Sequence, residues 1–157
     1  MIIKAISLWE PHATAMDLDL KLNETRSFTL SYRGPLAIHH ARKRFVGNEY
    51  GPDFVMQLGR DGVLSQLCYG VIKSVVEWYD SQPTHVIRGK LSERELFYGN
   101  YDDKRFAWLT RNRISLPTPI PTIGHQGLFD WEVPPEYEHL VAPMLAKYAK
   151  ESAGLFA

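Results

Sequence analysis

Residues 21–41 read KLNETRSFTLSYRGPLAIHHA, and the fold turns on how they are read. Lys21, Glu24 and Arg26 fall close together, a turn-forming Arg33-Gly34-Pro35 follows, and an apolar run ends in His39-His40. A strand over 22–28 puts Glu24 and Arg26 on one side, because side chains alternate with period two, and separates them by roughly 7 Å. An opposite-charge pair at that spacing can touch. A lysine at the strand's start and a histidine on a neighbouring strand complete a small polar cluster. The same pattern also describes an exposed ion pair, which contributes little energy.

Residues 35–41 form a further strand by the same alternation. Leu36 and Ile38 face the core, while His39 sits between two alanines on the other side, with room for a ligand or a packed helix. A strand histidine is more often a hydrogen-bonded structural residue than a catalyst. His39 and His40 do not form a metal pair, since adjacent strand residues point apart.

Upstream, Ile2–Leu8 alternates as a strand, with Ile6 and Leu8 on one face and Ser7 and Trp9 on the other. Pro11 suits the first turn of a helix over residues 12–20. Trp9 and His12 therefore sit at a strand-to-helix junction, where they face a cleft or pack in the core. Downstream, Arg42-Lys43-Arg44 is the one run of three cations, and it reads as a solvated turn or as part of a binding surface. Pro52 starts a helix through Leu58, interrupted by Gly59 and Gly62.

Tyr69–Tyr79 is the clearest strand, rich in Val, with Gly70 marking a bulge. Ser92 and Glu95 have capping-box spacing for a brief helix ended by Gly99. Residues 105–110 form a strand with Phe106, Trp108 and Thr110 on one face. Leu116–Thr122 carries three prolines at alternate positions, so it is extended and poorly suited to regular sheet pairing. Gly127–Val133 is the last strand, and Pro134-Pro135 opens a helix with a stripe at Leu140, Val141, Met144, Leu145 and Tyr148. About six strands and a few short helices make a small mixed sheet or barrel.

The 157 residues suffice for one domain with a real core. A formal net charge of zero argues against non-specific coating of a long nucleic-acid backbone. The single Cys68 excludes an internal disulfide and reads as a packing residue. The short apolar start matches neither a signal peptide nor a membrane span, which points to a cytoplasmic protein with no membrane partner. The six histidines show no metal-ligand spacing, and the usual phosphate-loop, Cys-x-x-Cys, His-Glu-x-x-His and Gly-x-Ser-x-Gly signatures are missing.

Ala5-Ile6-Ser7-Leu8-Trp9-Glu10-Pro11, Lys21-x-x-Glu24-Thr25-Arg26 and Tyr32–His39 occur in that order and resemble the ASCH domain family. Tyr69–Ile72, Arg105–Leu109 and Gln126–Trp131 resemble its bacterial and phage members. The resemblance implies an α+β, PUA-like fold over residues 1–133: a small β-barrel of about six strands flanked by short helices. Residues 134–157 then form a C-terminal helical extension packed on the same domain.

The role implied is binding of RNA or a modified nucleoside in a cleft beside the barrel. Lys21, Glu24 and Arg26 mark that cleft, with Arg26 on phosphate or base edges and Trp9 or Trp108 stacked on an unpaired base. His12, His39 and Lys43 complete the expected binding set. The rival is a hydrolase, either an acetylcytidine amidohydrolase-like enzyme or a ribonuclease using a divalent metal. In such amidohydrolases a lysine activates a threonine three residues on, and here Glu24 occupies that place. Lys21 and Glu24 are then the candidate catalytic pair, activating water directly. A protein interaction module using the C-terminal stripe is the third reading. Nothing in the sequence sets an oligomeric state.

Overall fold

The computed structural model describes residues 1–155. Strand β1 spans Ile2–Leu8, β2 Asn23–Arg26, β3 Gly34–His40, β4 Val71–Pro83, β5 Phe106–Pro121 and β6 Leu128–Glu132. The helices are α1 (His12–Asp17), α2 (Pro52–Arg60), α3 (Thr84–Ile87), α4 (Glu93–Tyr98) and α5 (Glu138–Leu155). The last two residues of the expected C-terminal extension, 156 and 157, lie outside the described residues. Among the described residues, no helix is long and apolar enough to cross a membrane.

All six strands join one mixed sheet in the order β2-β5-β4-β3-β1-β6. The β1–β3 pair is parallel and the other pairs are antiparallel. The barrel is open: β2 and β6 are the two edges. Even so, the sheet curls far enough for Arg26 on edge strand β2 to hydrogen-bond the Ser7 carbonyl on β1 at 3.0 Å. The gap in the barrel therefore lies between β2 and the β1–β6 side.

Alternation along the strands builds two cores. Ile6, Leu8, Leu36 and Ile38 turn inward with Met16 of α1 and with Trp78 and Trp108. Ile3, Ala5 and Ala37 turn outward, where Val141 of α5 packs against them. The alanines leave the space that the helix fills. Glu77 fastens α5 further. Its carboxylate accepts from Lys147 Nζ and Tyr148 Oη, both at 2.6 Å, and from Arg111 and Asn112 on β5.

Two local expectations change. The proline-rich stretch belongs to β5, with Pro121 opposite Val71 and Ile120 opposite Ile72. Sheet membership costs little here. The register slips between Ile72 and Ser74, where extra residues are absorbed, and β2 covers only Phe106–Leu109 of the outer edge. Ser92 does cap α4, accepting from Glu95 N–H at 3.1 Å. Glu95, however, turns its carboxylate to the main-chain N–H groups of Leu22 and Asn23, at 2.7 and 3.0 Å.

Candidate functional site

The start of β2 is held from two sides. Glu95 accepts from the Leu22 and Asn23 amides, and Thr110 on β5 donates its hydroxyl to the Leu22 carbonyl. This fixes the short segment that carries Lys21 and Glu24. Lys21 is buried and donates to the Asn23 carbonyl at 2.6 Å and to Glu24 Oε1 at 3.3 Å. Glu24 Oε1 also accepts from the Thr25 N–H at 2.8 Å, and Oε2 accepts from Arg26 Nη2 at 3.3 Å. The expected charge cluster therefore forms, with Glu24 at its centre.

Burial pushes the Glu24 carboxyl up, but Lys21, Arg26 and the Thr25 amide outweigh burial, and the group ends below its ordinary value. Glu24 is a carboxylate at neutral pH. Beside it, the His12 ring is pushed down, first by burial and then by the Lys21 charge, so it is neutral. One of its nitrogens meets the Tyr98 main chain, while buried Nδ1 has no hydrogen-bond partner among the described residues. In a neutral ring donating through the other nitrogen, Nδ1 is an open acceptor.

These groups line a cavity of about 560 Å³ at the gap in the barrel. Its walls come from Ser7–Trp9 at the end of β1, from the Lys21–Arg26 segment, from Tyr98, Asn100 and Arg105, and from the 125–127 loop before β6. Lys21, Arg26 and Arg105 share that lining with the single carboxylate Glu24. The site is locally cationic within a chain of zero net charge. Trp9 stands at the wall 57% exposed, with Lys43 Nζ 3.7 Å from its ring centroid. Lys43 thus reaches the site through Trp9 and is not itself a lining residue.

Two expected binding residues lie elsewhere. Trp108 is fully buried, stacks on Trp78 with ring centroids 4.1 Å apart, and donates Nε1–H to the Phe28 carbonyl. No base can reach its face. His39 is also buried, and both ring nitrogens are engaged, Nδ1 with Ser7 Oγ at 2.7 Å and Nε2 with the Thr122 carbonyl at 2.8 Å. Gly124 packs so tightly over this pair that a Cβ there would come within 2.5 Å of both side chains. His39 therefore anchors the loop that walls the cleft, and it is absent from the lining.

Arg105, His125 and Tyr98 enter the lining without having been singled out from the sequence. Arg105 carries a weak signal, since it opens one of the blocks resembling the family. His125 and Tyr98 have none, because the chain's curl alone brings them to the site.

No protein-family model matches the sequence, and no curated protein matches it. Solved structures do share the fold. ASCH from Zymomonas mobilis superimposes with a TM-score of 0.51 at 18% identity, covering 88% of this chain and 93% of that one. Two mutant forms of the same protein give TM-scores of 0.50 at 17% identity, covering 88% of this chain and 96% and 94% of theirs. The chain thus shares its fold with these ASCH structures over most of its length.

Proposed function

We propose that the chain binds RNA or a modified nucleoside by taking one unpaired nucleotide into the cleft at the barrel's gap. The observation that carries this reading is the cleft's lining: three cations against one carboxylate, in a hollow of about 560 Å³, inside a chain of zero net charge. That volume falls within the range of small-ligand sites. Arg26 and Arg105 meet the phosphate, to which a guanidinium fork is matched. Trp9 stacks on the base, and His12 Nδ1 accepts from a base-edge donor. Glu24 holds Arg26 in place.

Hydrolysis is the second reading, favoured by the direct contact of Lys21 with Glu24 at 3.3 Å. A general base works best with a pKa near the operating pH, whereas the Glu24 carboxyl is held below its ordinary value. This favours binding. The cation-rich lining likewise suits an anion better than a divalent metal.

Thermal shift and calorimetry with nucleoside monophosphates, nucleosides and short single-stranded RNAs test the proposal, with mass spectrometry of the same mixtures. Stabilisation by nucleotides that is lost in Arg26→Ala, with no product formed, supports binding. Product formation abolished in Glu24→Gln supports the second reading. No response to any ligand at millimolar concentration overturns both.

A further inference from the structure

Glu10, His40 and Cys68 come from three separate stretches of chain and bring a carboxylate, an imidazole and a thiol to one point. Their donor atoms all lie within 4.8 Å of one another. Cys68 Sγ is 3.2 Å from His40 Nδ1, and Glu10 Oε2 is 3.3 Å from the same nitrogen. A tetrahedral Zn²⁺ at ordinary bond lengths sets its N and O ligands about 3.4 Å apart and its N and S ligands about 3.6 Å apart. The two pairs that share His40 Nδ1 thus hold nearly the spacing such an ion imposes.

Their surroundings are those of a ligand set. His40 Nε2 lies 2.7 Å from Asp17 Oδ2, which keeps a proton on Nε2 and turns Nδ1 towards Glu10 and Cys68. Ser74 Oγ orients Asp17 in turn, at 2.6 Å from its other oxygen. Glu10 Oε1 accepts from the Thr14 N–H at 2.8 Å, which leaves Oε2 on the His40 side. Oε2 also accepts from the Thr14 hydroxyl and from the Cys68 N–H at 3.0 Å, which hold it beside His40 and Cys68. Glu10 and His40 are buried, and Cys68 is partly exposed.

Thiolate, imidazole and carboxylate together suit borderline-soft Zn²⁺, while Mg²⁺ and Ca²⁺ demand oxygen throughout. Charge also balances. Zn²⁺ with a Cys68 thiolate and neutral His40 gives the buried cluster the same net charge as a thiol with an imidazolium, the two displaced protons leaving to solvent. None of the three residues lines the cleft.

We propose that Glu10, His40 and Cys68 form a Zn²⁺ site oriented by Asp17, with water as the fourth ligand. It ties the corner between β1 and α1 to the end of β3 and to the segment leading into β4. The competing description is a metal-free ion network in which His40 is shared between Glu10 and Asp17.

The test uses the full chain stripped with chelator and titrated with Zn²⁺ or Co²⁺. Expected results are one metal per chain, a thiolate-to-cobalt charge-transfer band with tetrahedral visible bands, and a higher melting temperature with metal. Cys68→Ser removes the charge-transfer band, and Asp17→Asn weakens binding about 10–100-fold while leaving the band's position unchanged. Circular dichroism checks that both variants fold. If either does not, the wild-type stoichiometry and cobalt spectrum decide. Absence of stoichiometric binding by the wild type overturns the proposal, as does a Cys68→Ser variant that folds and keeps the wild-type spectrum.

Discussion

Arg26 donates through Nη2 to the Ser7 carbonyl at 3.0 Å, and the same nitrogen lies 3.3 Å from Glu24 Oε2. One guanidinium therefore spans the gap between an edge strand and β1 while lining the cleft. With its side chain 30% exposed, it keeps donors for a ligand. Arg26→Ala is expected to weaken nucleotide binding by at least tenfold. Arg26→Lys does not restore affinity, because an ammonium cannot reproduce a planar fork. Calorimetry on the two variants checks this.

Trp9 and Trp108 separate binding from stability. Trp108 is buried against Trp78, so Trp108→Ala costs about 3–5 kcal/mol of folding stability. Trp9 is 57% exposed, and Trp9→Ala changes stability by no more than about 0.5 kcal/mol. The same change lowers nucleotide affinity by about 1–3 kcal/mol, the worth of one stacked base. Denaturant melts and binding titrations on both variants give the contrast.

Much of this was legible in the chain. Period-two alternation in Ile2–Leu8 and in 35–41 gave both strands and grouped Ile6 with Leu8 and Leu36 with Ile38, the pairs that turn inward. Spacing placed Glu24 and Arg26 on one side of β2, and they do meet. Alternation cannot say which face of a strand is covered, so Trp108 read as a stacking platform when it is a core residue. Strand order and curl are long-range properties. They bring Arg105 and His125 to the cleft across about 80–100 residues, and no local pattern records that. Glu10, His40 and Cys68 stand about 30 residues apart for the same reason and show no ligand spacing in sequence.

Glu95 positions the Lys21–Glu24 segment without touching the cleft. Its carboxylate takes the Leu22 and Asn23 amides and the Tyr101 hydroxyl, the last at 2.7 Å. Glu95→Ala leaves two main-chain donors unpaired, at a cost of about 1–3 kcal/mol each where burial is complete. Hydrogen exchange is expected to accelerate at residues 22 and 23, with nucleotide affinity falling alongside. A structural role confined to α4 would leave those two amides protected.

Glu77 makes the attachment of α5 sensitive to acid. Burial pushes its carboxyl up, but donors from Arg111, Lys147, Tyr148 and Asn112 outweigh burial and hold it well below the usual carboxylate range. Its unfolded value is about 4.5. A group depressed in the folded state binds its proton more readily when unfolded, so its contribution is fully present above pH 4.5 and fades as pH falls towards the folded value. Glu77→Gln removes that contribution at every pH. The melting temperature of the wild type is therefore expected to exceed that of Glu77→Gln at neutral pH, with the gap closing progressively below pH 4.5. Hydrogen exchange along α5 should rise over the same acid range in the wild type. It should already be fast at neutral pH in the variant, because Lys147 and Tyr148 have lost the carboxylate that holds the helix to β4. A gap that stays constant into acid would mean that the charge on Glu77 is not what separates the two proteins.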